Sequence, residues 1–211
     1  MKFSELADYY ERIGRAKNNG ERIRLLVEAF DGADDPTLAA IAHFSIGELV
    51  RPEFSDRLGI GPATIREQIA KIADKDPSEI DEEVREAGDM SLVAAAHTNG
   101  KDRLRVDELW KLVDDAVHGE DGRSKLVARV FTNTTPSGAK YFTRMALNQM
   151  RINVGLGTLM QALGKAFKVS VGSVEHFYTM TNDIGLTAVS AKRARPRSNT
   201  PGPCSSTHTN L

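Results

Sequence analysis

Apolar residues recur three or four positions apart along most of the chain, which is the spacing that places them on one face of an α-helix. The first such face is formed by Leu6, Tyr9, Tyr10 and Ile13. Ser4 is the predicted N-cap of this helix, which we expect over about residues 5–16. The sequence has no alternating run of β-branched residues of the kind that indicates strands. The pattern predicts an all-α protein of about twelve helices, with Trp110 as a core anchor.

Two boundaries between helical patterns carry a pair of glycines. Their sequences are Leu58-Gly59-Ile60-Gly61-Pro62-Ala63-Thr64-Ile65 and Arg151-Ile152-Asn153-Val154-Gly155-Leu156-Gly157-Thr158-Leu159. Alignment of Gly61 with Gly157 predicts that Gly157 is the N-cap of the helix that follows. The first turn of a helix has unpaired N–H groups and the positive end of the helix dipole, and glycine lets an anion approach the main chain closely. These sequences are candidate phosphate sites, although plain turns between helices share the pattern.

The similarity between the two regions extends beyond the glycines. Asp35-Pro36 and Thr135-Pro136 each place a capping residue before a proline at the first helical position. We therefore expect one domain over residues 1–190. It would consist of two helical halves, at about 1–100 and 101–190, related by a pseudo-twofold axis.

Residues 191–211 differ in composition from the rest of the chain. They are rich in Pro, Ser and Thr and lack apolar periodicity. Such a segment buries too little surface to offset its chain entropy, so we expect it to be disordered. We interpret it as an out-of-frame or truncated end. If the reading frame is intact, the basic run at 192–197 becomes an accessory phosphate contact.

Charge is distributed unevenly along the sequence. The 211 residues have a net charge of -1, yet residues 121–211 contain 12 Lys and Arg against three acids, a net charge of +9. Residues 1–120 carry 16 basic and 26 acidic side chains, a net charge of -10. This asymmetry indicates that one face of the protein meets a polyanion while another stays solvated.

Several classes of protein are disfavoured by the sequence. No apolar run approaches the length of a membrane span, and the first residues lack the apolar core of a signal peptide, so a cytoplasmic protein is expected. The single Cys204 excludes a disulfide framework and a cysteine zinc site. The five histidines lack ligand spacing. We therefore expect no metal site and no acid-base catalysis.

The two glycine sequences, with the stretch 150–167 and the opening residues 3–30, resemble the N-terminal DNA-binding domain of ATP-dependent DNA ligases of the archaeal and eukaryotic replicative type. The resemblance covers residues 3 to about 190. It implies an all-helical domain with internal pseudo-twofold symmetry that grips the minor groove of nicked double-stranded DNA, in replication, repair and recombination. Asn153 departs from the family, which usually has glycine there. Because Asn tolerates left-handed backbone angles, we expect the turn to survive.

The resemblance also identifies what the sequence lacks. The lysine that such ligases adenylate lies in a Lys-x-Asp-Gly motif, and no lysine of this chain begins one. ATP and Mg²⁺ would belong to a nucleotidyltransferase domain that is absent here. We therefore expect a monomeric DNA-binding chain that is inactive alone and has no catalytic residue of its own.

The predicted DNA contacts combine main-chain amides, hydroxyls and cations. They are Gly59, Gly61, Thr64, Lys140, Arg144, Arg151, Asn153, Gly155, Gly157 and Thr158. The glycine amides and threonine hydroxyls would bind phosphate oxygens on the two strands that flank a minor groove, and the cations would add charge. Lys140 and Arg144, four residues apart, are equally typical of a solvated helix face, and the threonines of local caps.

Two other functions remain open from the sequence. Leu58-Gly59-Ile60-Gly61-Pro62-Ala63 also resembles the helix-hairpin-helix motif of other DNA-repair proteins, including glycosylases, although the lysine and aspartate signature of those enzymes is not apparent. The acidic first half is alternatively the docking surface of a helical scaffold that binds protein.

Overall fold

Twelve α-helices form the regular structure of the residues that the computed structural model describes, which are 1–51, 54, 58–117 and 122–196. They are α1 (Phe3–Gly14), α2 (Asn19–Phe30), α3 (Asp35–Ser45), α4 (Pro62–Ala73), α5 (Pro77–Ala87), α6 (Met90–His97), α7 (Val106–Val117), α8 (Gly122–Asn133), α9 (Pro136–Ala146), α10 (Leu156–Phe167), α11 (Val171–Thr181) and α12 (Ile184–Arg193). Within those residues β-type pairing is limited to a single bridge between Lys2 and Arg105. The predicted all-α fold of about twelve helices is confirmed.

The first helix begins earlier than predicted. Its N-cap is Lys2, whose main-chain N–H donates to the Glu5 carboxylate at 2.8 Å, so the prediction of Ser4 as the cap is wrong. Ser4 lies inside the helix and is buried. The reason is packing: Phe3 is fully buried, and its N–H donates to the Leu104 carbonyl at 2.8 Å, which draws the start of the helix toward the core.

Aromatic side chains from both predicted halves meet in one core. Phe3 packs edge-on against Phe44, with ring centroids 6.2 Å apart. Tyr10 lies 5.4 Å from Tyr141, and burial raises the pKa of Tyr10 far above its usual range. Trp110, at 5.7 Å from Phe44, is packed in this core as predicted.

The helices of the two predicted halves pack across the division between them as well as within each half. Helices α4 and α6 contact α8 and α9, while α10 and α12 contact α2 and α3. Each group of three helices, α4–α6 and α10–α12, is also packed within itself. In each group the first and third helices thus contact helices of the other half. The pseudo-twofold relation itself stays a prediction.

The last helix continues into the segment that was predicted to be a tail. Helix α12 ends at Arg193, and Ala191 is fully buried, so the predicted start of disorder at residue 191 is wrong. Lys192 and Arg193 both donate to the Asp35 carboxylate, at 2.8 and 2.9 Å, and these contacts lower the pKa of Asp35. The basic residues are a helix C-terminus that docks on α3. Residues 197–211, the rest of the predicted tail, lie outside the described residues.

None of the helices in the described part of the chain combines the length and the apolar character needed to cross a membrane.

A nearly inaccessible histidine joins α3 to α12. The His43 side chain is 2% exposed, and its ring stacks on Trp110 with centroids 4.6 Å apart. Nδ1 lies 2.7 Å from the Glu48 carboxylate and Nε2 lies 3.2 Å from the Asp183 carboxylate. Gly185, in the first turn of α12, faces this ring so closely that a Cβ built on it would lie 2.7 Å from Nε2. The ring is held on three sides and has little room to move.

We expect Gly185→Ala to destabilise the protein. The added methyl group overlaps a ring that its neighbours hold in place, and overpacking of this kind costs about 1–3 kcal/mol of unfolding free energy. Gly172→Ala is the matched control, because a Cβ on Gly172 would meet its nearest recorded atom, Ser170 Oγ, at 4.0 Å. Removal of a helical glycine should leave stability unchanged or raise it by up to about 1 kcal/mol. Urea unfolding midpoints compare the two, and equal midpoints would contradict the account.

Candidate nucleic-acid interface

The first glycine sequence forms a tight turn at the surface, which we call turn 1 (residues 58–61). Leu58 and Ile60 are buried and anchor it, while Gly59 between them is exposed. Gly59 has a left-handed backbone with φ +52°, a conformation that glycine adopts without strain. Gly61 is extended, with φ -111° and ψ 179°, and is the N-cap of α4.

The second glycine sequence, residues 151–155, matches turn 1 at the left-handed position and at the helix N-cap, and we call it turn 2. Asn153 occupies the left-handed position with φ +55°, as expected for an asparagine in place of glycine. Ile152 is buried before it, and Gly155 is extended at φ -106° and ψ 174° as the N-cap of α10.

This geometry corrects the predicted alignment of the two turns. The prediction that Gly157 is the N-cap is wrong, because Gly155 is the last extended residue and Gly157 already lies in the first turn of α10. Gly61 therefore corresponds to Gly155, 94 positions later. The same separation relates Thr64 to Thr158 and the left-handed C-cap Asp74 to the left-handed C-cap Lys168. Gly155 is thus the counterpart of Gly61, whereas Asn153 takes the place of Gly59 and Gly157 takes the place of Ala63.

The amides at the starts of α4 and α10 have no side-chain partner. Neither Gly61 nor Gly155 provides a side-chain cap, whereas six other helices of the described chain, α2, α3, α6, α9, α11 and α12, have one. A Cβ built on Gly61, Gly155 or Gly157 would meet no atom of the described residues within 4 Å. The N–H groups of Ala63 and Thr64 in α4, and of residues 156–158 in α10, remain open to a ligand.

The loops that carry the two turns meet on the surface. A Cβ on Gly47, in the loop that leads to turn 1, would lie 3.4 Å from Cβ of Met150, which precedes turn 2. A shallow groove of about 350 Å³ lies between them, lined by residues 46–50, residues 58–60, Met145, Ala146 and Asn148. Three residues of turn 1 line this groove, together with Asn148, which precedes turn 2 by three positions.

Two of the cations predicted to contact DNA already form ion pairs within the protein. Lys140 forms an ion pair with Glu11. Arg144, whose side chain is 14% exposed, donates to the Asp89 carboxylate at 3.0 Å and to the Ser91 hydroxyl at 3.1 Å. Both cations also lie beside the ring of Tyr141, at 5.4 and 5.5 Å. Their charge is largely compensated before any ligand arrives.

The groups around Asp89 favour the ionised form of its carboxyl group. Burial acts to raise the pKa of its carboxyl group, but hydrogen bonds from Ser91 and Arg144 outweigh burial and hold the pKa below its usual range. The carboxylate therefore stays charged at neutral pH and retains Arg144 within the protein.

Arg151 differs from the other predicted cations because its side chain is 55% exposed. Its backbone is left-handed with φ +54°, an uncommon conformation for a residue with a side chain. Nη1 lies 3.4 Å from the Asp89 carboxylate, and Nη2 donates to Gln149 Oε1 at 3.2 Å. Turn 2 thus presents a cation whose direction is set by two neighbours.

Turn 1 has a cation that sequence reasoning missed. The guanidinium of Arg123, at the start of α8, lies over Gly59, and a Cβ on that glycine would be 3.2 Å from Nη1. Arg123 is exposed, and its side chain forms no hydrogen bond or ion pair with any described residue. In the sequence, only its position in the basic second half points to Arg123. Its proximity to turn 1 arises from the contact between α4 and α8, which the sequence does not reveal.

The threonine hydroxyls are unequal. Thr158 Oγ1 donates to the side-chain oxygen of Asn19 at 3.0 Å, which joins α10 to the start of α2. Thr64 is half-buried at the equivalent position of α4. The described residues contain no cluster of three or more His, Cys, Asp or Glu side chains that could hold a metal ion.

Comparison with known proteins identifies a family and several relatives. Residues 2–164 match the family model for the DNA ligase N terminus. The chain is 30% identical over 209 residues to a DNA ligase of Methanothrix thermoacetophila and 30% identical over 208 residues to one of Archaeoglobus fulgidus. Both alignments cover 92% of this chain and 37% of the relative. A DNA ligase of Methanobrevibacter smithii is 27% identical over 205 residues, with 91% and 37% covered.

The chain therefore spans a little over a third of the length of these relatives, at about 37%. The family match extends over most of its residues and includes both turns. On this evidence the chain belongs to the family defined by the DNA ligase N terminus.

Proposed function

We propose that this chain binds duplex DNA without reading its sequence, by holding phosphates on the two strands that flank the minor groove. In this proposal the chain is the DNA-gripping part of a nick-sealing activity. The observation that carries the proposal is the pair of exposed turns, each followed by a helix whose first amides have no side-chain cap. The similarity to DNA ligases favours this function over a glycosylase or a protein scaffold.

The main chain would supply most of the contacts. Uncapped N–H groups and the positive end of the helix dipole attract phosphate oxygens at the start of α4 and of α10. Two such sites with the same backbone geometry suit two backbones of opposite direction, which is the arrangement across a minor groove. Contacts of this kind position a protein on DNA and carry no sequence information.

One arginine would add charge at each turn. Arg123 lies at turn 1 and Arg151 at turn 2, and both are exposed. Lys140 and Arg144 would contribute mainly by fixing the fold, since both are paired with carboxylates. We further propose that the chain acts as a monomer and binds nicked duplex more tightly than intact duplex. Adenylation with ATP and Mg²⁺ is assigned to residues outside this chain, because the sequence contains no Lys-x-Asp-Gly motif.

Binding is expected to weaken steeply as salt is raised. The logarithm of the association constant should fall with log salt by about 0.9 per phosphate neutralised, so two arginine contacts alone give a slope of roughly -2. Fluorescence anisotropy with labelled duplexes of unrelated sequence, nicked and intact, measures this slope. A flat salt response, or affinities that depend on base sequence, would count against phosphate binding.

Arg123→Gln and Arg151→Gln should each reduce the salt slope by about 1 and weaken binding equally on all sequences, because each removes one phosphate contact. Lys2→Gln is the control. Lys2 is 49% exposed and paired with Asp102, and it stands before α1, whose other end, Gly14, packs near Ile152 of turn 2. A helix of twelve residues is about 18 Å long, so this lysine is remote from turn 2. An equal loss in the Lys2 variant would show that general charge, not the turns, governs binding.

A further inference from the structure

Asp89 connects the first half of the chain to turn 2. It is the N-cap of α6, where its Oδ1 accepts the Ser91 N–H at 2.9 Å. Its Oδ2 accepts from Arg144 at 3.0 Å and lies 3.4 Å from Nη1 of Arg151. The side chain is 10% exposed, so it is covered by the groups that it binds. One carboxylate thus links a helix start, a buried arginine and an exposed arginine.

Arg151 is held at both ends of its guanidinium. Nη1 faces Asp89 and Nη2 donates to Gln149, while the left-handed backbone directs where the side chain leaves turn 2. An exposed arginine without such partners samples many rotamers, and it loses that freedom when a ligand fixes it.

A comparable aspartate occurs 94 positions later. Asp183 is the N-cap of α12, where its Oδ1 accepts the Leu186 N–H at 2.7 Å, and its other side-chain partner among the described residues is the ring of His43 at 3.2 Å. Helix α9 is the counterpart of α3, and the residue of α9 that corresponds to His43 is Arg144, 101 positions later. Arg144 is the partner of Asp89. The two aspartates therefore have matching structural roles, and Asp89 differs by its contact with Arg151.

Resting on the proposed DNA binding, we propose that Asp89 is a positioning residue for the DNA contact. Its carboxylate holds the Arg151 guanidinium at turn 2 in the direction in which it meets a phosphate. Asp89 itself touches no DNA in this arrangement. Arg151 binds the phosphate. Because Asp89 restricts the rotamers of Arg151 before DNA binds, less side-chain freedom is lost on binding.

The proposal predicts a result of opposite sign to simple electrostatics. Asp89 is a negative charge beside a surface that binds a polyanion, so its removal should strengthen binding if only net charge mattered. If Asp89 orients Arg151, its removal weakens binding although the protein becomes more positive. The direction of the change separates the two explanations.

The test measures nicked-duplex affinity of the full chain carrying Asp89→Asn, with Asp183→Asn as the matched control. Both variants remove one negative charge and alter one helix cap. We expect Asp89→Asn to weaken binding about threefold to tenfold, the effect of ordering one long side chain, and Asp183→Asn to leave affinity unchanged or slightly raised. In an Arg151→Ala background the Asp89→Asn substitution should have no further effect, because the group that it orients is gone.

Several outcomes would overturn the inference while the proposed function stands. These are unchanged or tighter binding by Asp89→Asn, an equal loss in Asp183→Asn, and a loss that persists in the Arg151→Ala background. If the unsubstituted chain fails to shift any duplex at low salt, the proposed function is wrong and this inference fails with it.

Thermal unfolding of each variant shows whether the fold is retained at the assay temperature. If Asp89→Asn unfolds there because Arg144 has lost its carboxylate, Asp89→Ser provides the same test. A serine hydroxyl still caps α6 but is too short to hold Arg151. Weaker binding by the folded serine variant supports the inference, and unchanged binding overturns it.

Discussion

Burial of helix faces across the division between the two halves is the constraint on which the rest of the structure depends. Helices α4 and α6 pack on α8 and α9, and α10 and α12 pack on α2 and α3. Turn 1 lies against the start of α8, as the proximity of Gly59 to Arg123 shows, and the first turn of α10 lies against the start of α2, as the contact of Thr158 with Asn19 shows. The turns owe their positions to apolar packing remote from them in sequence. A substitution in the core is therefore expected to shift the residues that we propose bind DNA.

The same packing decides which charges are available to a ligand. Groups drawn into a contact between helices lose water and need a partner, which explains why Lys140, Arg144 and Lys192 all pair with carboxylates. Among the described residues, five cations of the second half form ion pairs with carboxylates of the first half: Lys140, Arg144, Arg151, Lys192 and Arg193. What remains exposed at the turns is a small number of arginines and a set of main-chain amides. In the proposed function, binding through amides would leave the protein indifferent to base sequence.

Local features of the structure were largely predictable from the sequence. Helical periodicity gave the fold class, Thr135-Pro136 marked the start of α9, and the left-handed Asn153 followed from its side chain. The prediction of Asp35 as a cap was wrong by one residue, because Asp34 is the N-cap and Asp35 is the first residue of α3. Features that depend on distant residues were not predictable. The Lys140–Glu11 and Arg144–Asp89 pairs join residues far apart in the chain, and no spacing rule reveals them. The predictions of Gly157 and Ser4 as caps were wrong because packing determines which residue is the last extended one before a helix.

The central claim is that uncapped amides at two helix starts hold the two strands of a duplex. Amide chemical shifts and exchange rates, measured by NMR with and without nicked duplex at low salt, test it most directly. The account predicts shifts and slower exchange at Ala63 and Thr64 of α4 and at residues 156–158 of α10 together. The first amides of α11, capped by Ser170, should change little. Changes at one turn alone, or changes confined to helices away from both turns, would contradict the account.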